Sequence, residues 1–318
     1  TYTYGALNNE LTETDALGKK EIKEYYSNGL LKKKITRNND IINYTYDIHG
    51  RVIEENDISY EYDNNDNLIE IRENDYSIIR EYDGLDRVIR KNENGLISLY
   101  DYDIDGYSEK TIDPNGNETV KIYDKAGKLI TVQDEANYIY NETGILQKVI
   151  YESGATEEYF YNADKTLQKV INTYGEAAEE YEYYYDKNKN IVKKIENGKE
   201  IEYTYDVLNR IKTISSKEVT DVEDEEPNVE ITLTTYTYDK VGNRTQEVTG
   251  LTKKVYTYNA KNELTKITEY NDDVQTKITT YIYDDNGNQL EEKVNNQTNQ
   301  LNTYNEKNEL VKVVIDNE

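Results

Sequence analysis

A pair of tyrosines followed by an acidic or amide residue recurs along this chain, and no other feature limits its possible folds so tightly. Tyr44-Thr45-Tyr46-Asp47 returns as Tyr60-Glu61-Tyr62-Asp63, Tyr203-Thr204-Tyr205-Asp206, Tyr236-Thr237-Tyr238-Asp239 and Tyr281-Ile282-Tyr283-Asp284. Counted on the second tyrosine, thirteen units are clear: Tyr46, Tyr62, Tyr82, Tyr102, Tyr123, Tyr140, Tyr161, Tyr185, Tyr205, Tyr238, Tyr258, Tyr283 and Tyr304. They lie 16 to 33 residues apart, and two degenerate units around Tyr4 and Tyr26 precede them. A repeat of this period marks an architecture in which each unit is one supersecondary element stabilised by its neighbours.

Each unit has the same grammar. The residue after the anchor tyrosine is Asp or Asn in all thirteen, as in Asp47, Asp63, Asp103, Asp124, Asp206, Asp239 and Asp284. Four after the anchor comes Gly in six units (Gly50, Gly106, Gly127, Gly144, Gly242, Gly287) and Asp or Asn in five; Lys165 and Lys189 depart. Two positions further an apolar residue follows in ten of thirteen, such as Val52, Leu68, Leu129 and Leu146. Asp or Asn opening a type I turn bonds its own backbone two residues on, and the position three later needs a positive φ. This is the signature of a tight β-hairpin with a bulge. The flanks are strand-like, with Tyr-x-Tyr on one face and Ile, Val and Thr around it. Between units, Asn28-Gly29, Asn94-Gly95, Asn115-Gly116 and Asn197-Gly198 give a second hairpin cue.

Each unit therefore supplies two strands and two turns, and about fifteen units over residues 1–318 predict a single all-β array of tandem antiparallel hairpins. Roughly thirty strands would make a ribbon on the order of 140 Å wide. Twisted sheets of that width curl, so a spiralling sheet is expected. Residues 215–230, with the acidic stretch Asp221–Pro227, read as a loop insertion, and Ala177–Glu180 as an added short turn. After the turn the strand parity is mixed. Leu146 and Val149 fall on opposite phases, as do Leu167 and Val170, so the covered face cannot be read from alternation.

Leu, Ile, Val and Phe make up only 70 of the 318 residues, whereas Tyr alone contributes 34. Order must lean on tyrosine, and rings stacked from unit to unit would add about 0.5–1.5 kcal/mol per aromatic pair. The net charge of −26 opposes nucleic-acid backbones and anionic lipid surfaces, so no nucleic-acid partner is expected. No run of 18 apolar residues occurs, so no membrane span is expected. Cys is absent, which excludes disulfides, thiol nucleophiles and zinc–thiolate clusters. Met is absent too and no signal peptide is seen, so the sequence reads as a piece of a longer protein.

Sharper sites compete with turn chemistry. Carboxylates are abundant, but they recur in register with the turns, and a catalytic pair should be a local exception to a repeat. Asp101-x-Asp103-x-Asp105-Gly106 and Asp284-Asp285-Asn286-Gly287-Asn288 resemble calcium loops, yet neither continues to the Glu at position twelve. Tyr-rich surfaces also bind glycans, although the Trp usual in such modules is missing. The lone His49 sits inside a turn without a partner type unique to its unit, and Lys32-Lys33-Lys34 reads as one solvated strand face. No catalytic, cofactor-binding or metal residue is assigned, and no cofactor is expected. The residues singled out are the structural anchors Tyr46, Asp47, Gly50, Tyr62, Asp63, Tyr102, Asp103, Gly106, Tyr123, Asp124, Gly127, Tyr205, Asp206, Tyr238, Asp239, Gly242, Tyr283, Asp284 and Gly287.

These motifs resemble the YD-repeat family, named for its Tyr-Asp dipeptide, which includes bacterial Rhs proteins, shell components of insecticidal toxin complexes and the animal teneurins. The resemblance runs from Tyr2 to about Val314. It implies a long antiparallel ribbon forming a hollow shell in a secreted or cell-surface protein. Such a shell encloses a toxin or effector domain or acts as an extracellular scaffold, with the rest of the parent polypeptide as first partner. The family's self-cleaving core is not matched: Asp113-Pro114 is followed by Asn-Gly and reads as an inter-strand turn. The function expected is a non-enzymatic structural segment with bacterial toxin delivery as its setting; the alternative is an extracellular carbohydrate- or protein-binding module using exposed tyrosines.

Overall fold

Residues 1–5, 9–220 and 228–315 are described in the computed structural model. They form thirty β-strands and no helix. Neighbouring strands pair antiparallel within the units, as Tyr2–Tyr4 with Glu10–Thr14, Thr156–Tyr161 with Leu167–Tyr174 and Gln297–Tyr304 with Leu310–Ile315, and the sheet is not closed into a barrel. The all-β hairpin array expected from the repeat is the observed fold. The chain divides into two compact units. One comprises Thr1–Tyr62, Glu70–Asp75 and Thr235–Glu318; the other comprises Asp63–Ile69 and Tyr76–Thr234. Strands Ile211–Thr220 and Asn228–Tyr238 occupy the flanks of the 215–230 segment, and its acidic centre, Asp221–Pro227, lies outside the described residues. Ala177–Glu180 is not a turn but the start of strand Ala177–Tyr185. The reversal comes just before, where Gly175 takes φ 59°.

The hairpin turn follows from the sequence with little freedom left over. In the first clear unit the Asp47 amide donates to the Arg51 carbonyl at 3.0 Å, and the Gly50 amide to the Asp47 carbonyl at 3.1 Å. Asp47 Oδ1 accepts from the His49 and Arg51 amides at 2.8 and 3.0 Å. The residue four after the anchor has positive φ in all thirteen units, from 59° at Asn209 to 104° at Gly242. Lys165 and Lys189, which break the sequence rule, obey the geometry at φ 68° each. The Asn-Gly cue proves to be two different turns. Asn94-Gly95 and Asn197-Gly198 are two-residue loops with both φ positive, whereas Gly29 and Gly116 close five-residue turns on Tyr26 and Asp113.

A bulge one residue past most of the Tyr-Asp and Tyr-Asn turns settles the question of faces, the Tyr102 hairpin being in continuous register. Tyr140 pairs with Leu146 and Ile139 with Lys148, so Gln147 is skipped. Tyr138 then pairs with Val149, which puts Leu146 and Val149 on the same face as the tyrosines despite their odd spacing. Leu167 and Val170 are brought together in the same way opposite Tyr161 and Tyr159. The tyrosine face is the more covered one, and its buried residues include Ile42, Val132, Ala136, Val149 and Tyr256. The core is thin. The chain exposes 21029 Å², against about 13,700 Å² for a compact monomer of this mass.

Candidate functional site

The repeated contact set that joins one hairpin to the next occurs in both compact units, each carrying its own copies. The anchor phenol provides the first link. The hydroxyls of Tyr62, Tyr82, Tyr102, Tyr205, Tyr258 and Tyr283 donate to the carbonyls of Val52, Leu68, Val88, Ile191, Arg244 and Leu264 at 2.7–3.0 Å. Tyr46 does the same to Leu31 and Tyr140 to Leu129, both at 2.9 Å. The acceptor is each time the residue that opens the strand after the preceding turn, so the phenol reaches backbone left open by the bulge. Tyr123 differs, donating to the Glu109 carboxylate at 2.9 Å. Tyr238 ends its strand immediately before the Asp239 turn, like the other anchors.

The second link is the residue five after the anchor, which sequence reasoning passed over. Arg51, Arg87 and Arg210 return an Nε hydrogen bond to Oδ2 of Asp47, Asp83 and Asp206 at 2.6–2.7 Å. Asn67, Asn190, Asn243 and Asn288 do so with their amides to Asp63, Asp186, Asp239 and Asp284 at 2.9–3.0 Å. In three of the four turns that open with Asn the fifth residue is an acceptor instead, Thr166 for Asn162, Glu263 for Asn259 and Glu309 for Asn305, whereas Asn141 has Ile145 there. This exchange of donor and acceptor was visible in the sequence, had the fifth position been compared with the first. The same basic residue also covers the next anchor ring: Arg51 lies 4.6 Å from the Tyr62 centroid, Arg87 4.5 Å from Tyr102 and Lys128 5.3 Å from Tyr140.

The tyrosine ladder is corrected accordingly. Among the described residues one ring pair is in contact, Tyr26 with Tyr46, edge-to-face at 6.2 Å. Successive anchors stand two strands apart, about 9.6 Å, too far for rings to touch. The cation fills the gap. A third link runs along the turns, where the amides of Asn67, Asn190, Asn243 and Asn288 reach Oδ1 of Asp86, Asn209, Asn262 and Asn308 in the following unit at 2.7–3.0 Å.

Electrostatics follow the contacts. Burial, then the hydrogen bond from its own phenol to the Glu55 carboxylate, pushes Tyr60 up to about 12. Burial also raises Tyr44 and Tyr256 to about 12, with Glu55 and Glu247 beside them. The turn carboxylates move the other way. Hydrogen bonds from Arg210 hold Asp206 below the ordinary range, and those from Asn190 hold Asp186 there.

In the first compact unit the early turns meet late ones. The Arg37 amide donates to Asn286 Oδ1 at 2.9 Å, Asn38 Nδ2 to Asp284 Oδ2 at 2.8 Å, and the Asn286 amide to Asn38 Oδ1 at 3.2 Å. Asn56 Nδ2 reaches Glu306 at 2.5 Å. These partners are 246 to 250 residues apart in sequence. Lys261 lies 3.4 Å and Arg37 3.8 Å from the carboxylate of Asp15, whose side chain is 10% exposed. Lys19 pairs with Asp285 at 2.7 Å and Lys307 with Glu55 at 3.3 Å.

The remaining candidates fall into turn chemistry. Asp103 Oδ1 accepts the Tyr107 amide at 2.7 Å, and Asp284 is engaged by Asn38 and Asn288. Among the described residues no three His, Cys, Asp or Glu side chains are grouped to hold a metal ion. Among them, too, no helix is long and apolar enough to cross a membrane. His49 lends its amide to Asp47. The lysine run is not one solvated face: Lys34 pairs with the buried Glu21 at 3.0 Å, and Lys33 with Glu24 on the other face at 3.6 Å. Asp113-Pro114 forms the inter-strand turn, its Asp113 amide bonding Asn117 at 2.9 Å.

This pattern resembles that of YD-repeat shells. Residues 19–156, less than half of the chain, match the family described as Teneurin YD-shell. The tRNA3(Ser)-specific nuclease WapA of Bacillus spizizenii is 29% identical over 192 residues, 57% of this chain but 8% of that protein. A crystal structure of TcdB2-TccC3 shares the fold over 100% of this chain and 25% of its own, at 14% identity and a TM-score of 0.55. The Photorhabdus luminescens Tc holotoxin pore does so over 100% and 24%, at 13% identity and a TM-score of 0.54. The chain thus spans a quarter or less of each of these relatives. The YD-repeat resemblance read from Tyr-Asp-x-x-Gly is borne out.

Proposed function

We propose that this chain is a non-enzymatic wall segment of a larger secreted or cell-surface YD-repeat protein. Its hairpin array encloses or presents another polypeptide, a toxin or effector domain. The observation that carries this reading is the seam of the first unit, where early turns dock on turns about 248 residues later. A ribbon that packs turn against turn on itself becomes a wall, and a wall excludes large molecules. The shared fold with the TcdB2-TccC3 and Tc holotoxin structures supports the same role. The nuclease activity in the name of the Bacillus relative is assigned in this reading to another part of that protein, since the match covers 8% of it.

Limited proteolysis of the full-length protein containing this array tests the reading. The adjoining domain should resist protease while the array is folded and become cleavable in an Arg37→Ala/Lys261→Ala variant. Cleavage at the rate of the isolated domain, with the array intact, would end it.

A further inference from the structure

Two adjacent units break the repeat in several ways at once. At the position before the anchor, the other clear units carry Thr, Glu, Asp or Ile; these two carry Phe160 and Tyr184. Phe160 is the only phenylalanine of the chain. The same two units place Lys165 and Lys189 in the left-handed conformation that every other clear unit gives to Gly, Asn or Asp. A groove of about 710 Å³ opens between them, with Phe160, Gln168, Lys169, Glu182 and Tyr184 in its lining. Exposed aromatics and backbone strain at one place in an otherwise regular array mark a site that stability alone did not select.

We infer that this groove binds a neutral oligosaccharide. The two rings are 43% and 46% exposed and lie on the face opposite the anchor tyrosines. They stand two strands apart, about 9.6 Å across the sheet, so together they suit a chain of more than one sugar. Ring faces pack on the C–H face of a pyranose while amides and carboxylates take its hydroxyls. The bulged Gln168 lies on the strand between the rings, and Glu182, beside Tyr184 on its own strand, already accepts the Tyr184 hydroxyl at 2.8 Å and orients it. The charges in the lining are already matched. Lys169 pairs with Glu180 at 2.7 Å and Glu182 at 3.9 Å, and Lys189 with Asp164 at 3.6 Å. Asp186 is held by Asn190 at 3.0 Å. A charged ligand would gain nothing there, and the net charge of −26 repels anionic glycans. An extended peptide would seek an open strand edge. This groove lies across strands paired on both sides.

Affinity electrophoresis of the 318-residue chain, through gels holding hydroxyethylcellulose, laminarin, soluble starch or galactomannan, tests this. Retardation is expected in at least one gel. It should weaken at least tenfold in Phe160→Ala/Tyr184→Ala and persist in Phe160→Tyr. No retardation in any gel overturns the inference, as does retardation that the double alanine variant retains. Binding of a reduced, carboxymethylated polypeptide at the same residues, with no effect of polysaccharide, overturns it equally.

Discussion

At the residue scale the turn is a matched donor–acceptor pair rather than a preference for Asp. Asp takes a partner that donates (Arg210 Nε at 2.7 Å), and Asn takes one that accepts (Glu309 at 2.7 Å). Asn305→Asp should therefore set one carboxylate against another and lower stability by about 1 kcal/mol. Adding Glu309→Asn should restore it, and a double-mutant cycle by urea unfolding reads the coupling. Acid acts on the same pairs. Asp206 titrates below its ordinary 3.8 when folded, so it stabilises the fold above that pH and stops doing so as pH falls through the folded value. Asp206→Asn keeps an Oδ1 acceptor but loses this dependence. Its loss of far-ultraviolet signal between pH 5 and 2 should be shallower than that of the parent, about as predicted for one paired carboxylate.

At the element scale, one hairpin is held to the next through the anchor phenol and, from the fifth position, through a cation in some units and an amide in others. Tyr205→Phe removes the 2.7 Å bond to the Ile191 carbonyl and should cost about 0.5–1.5 kcal/mol. Hydrogen exchange should quicken in strands Ile191–Glu196 and Lys199–Tyr205 and remain unchanged in Thr252–Tyr258. Alkali acts at this scale. Tyr44 and Tyr60 rise from an ordinary 10.0 to about 12 beside Glu55, so their contribution is full below pH 10 and is lost as pH climbs toward 12. Glu55→Gln should bring forward part of the phenolate absorbance at 295 nm. Hairpins, turn type and bulge were all legible, because Asp-x-x-Gly admits few backbone conformations. The covered face was not, since the skipped residue, such as Gln147, reverses the alternation on which such readings depend. The ring ladder misled because it ignored strand spacing, and Arg87 over Tyr102 fills the distance that stacking could not. The fifth position escaped because Arg, Asn, Lys, Glu and Thr share no residue class. Only their pairing with the first turn residue unites them.

At the scale of the molecule, contacts between sequence neighbours dominate among the described residues, and the seam of the first unit is an exception. Nothing in the sequence announced it, because its partners are ordinary turn residues, such as Asn38 and Asp284, used a second time. Asp284 already closes its own turn through Asn288, so the seam adds a partner to a carboxylate that the hairpin had oriented. Its energetic centre is Asp15, a carboxylate at 10% exposure between Arg37 and Lys261. Removing both cations leaves that carboxylate with only the Leu17 and Lys19 amides, at 2.9 Å each, which should cost about 1–3 kcal/mol. The loss should stay local, because a repeat array transmits little beyond its nearest neighbours. Arg37→Ala/Lys261→Ala should thus lose amide protection in turns 15–19, 36–40, 259–263 and 284–288, with strands Leu146–Tyr151 and Thr156–Tyr161 keeping theirs. Asp15→Asn in the same background removes the stranded charge and should recover most of the loss. Uniform deprotection across all thirty strands, or no recovery with Asp15→Asn, would mean that the ribbon is held by something other than this seam.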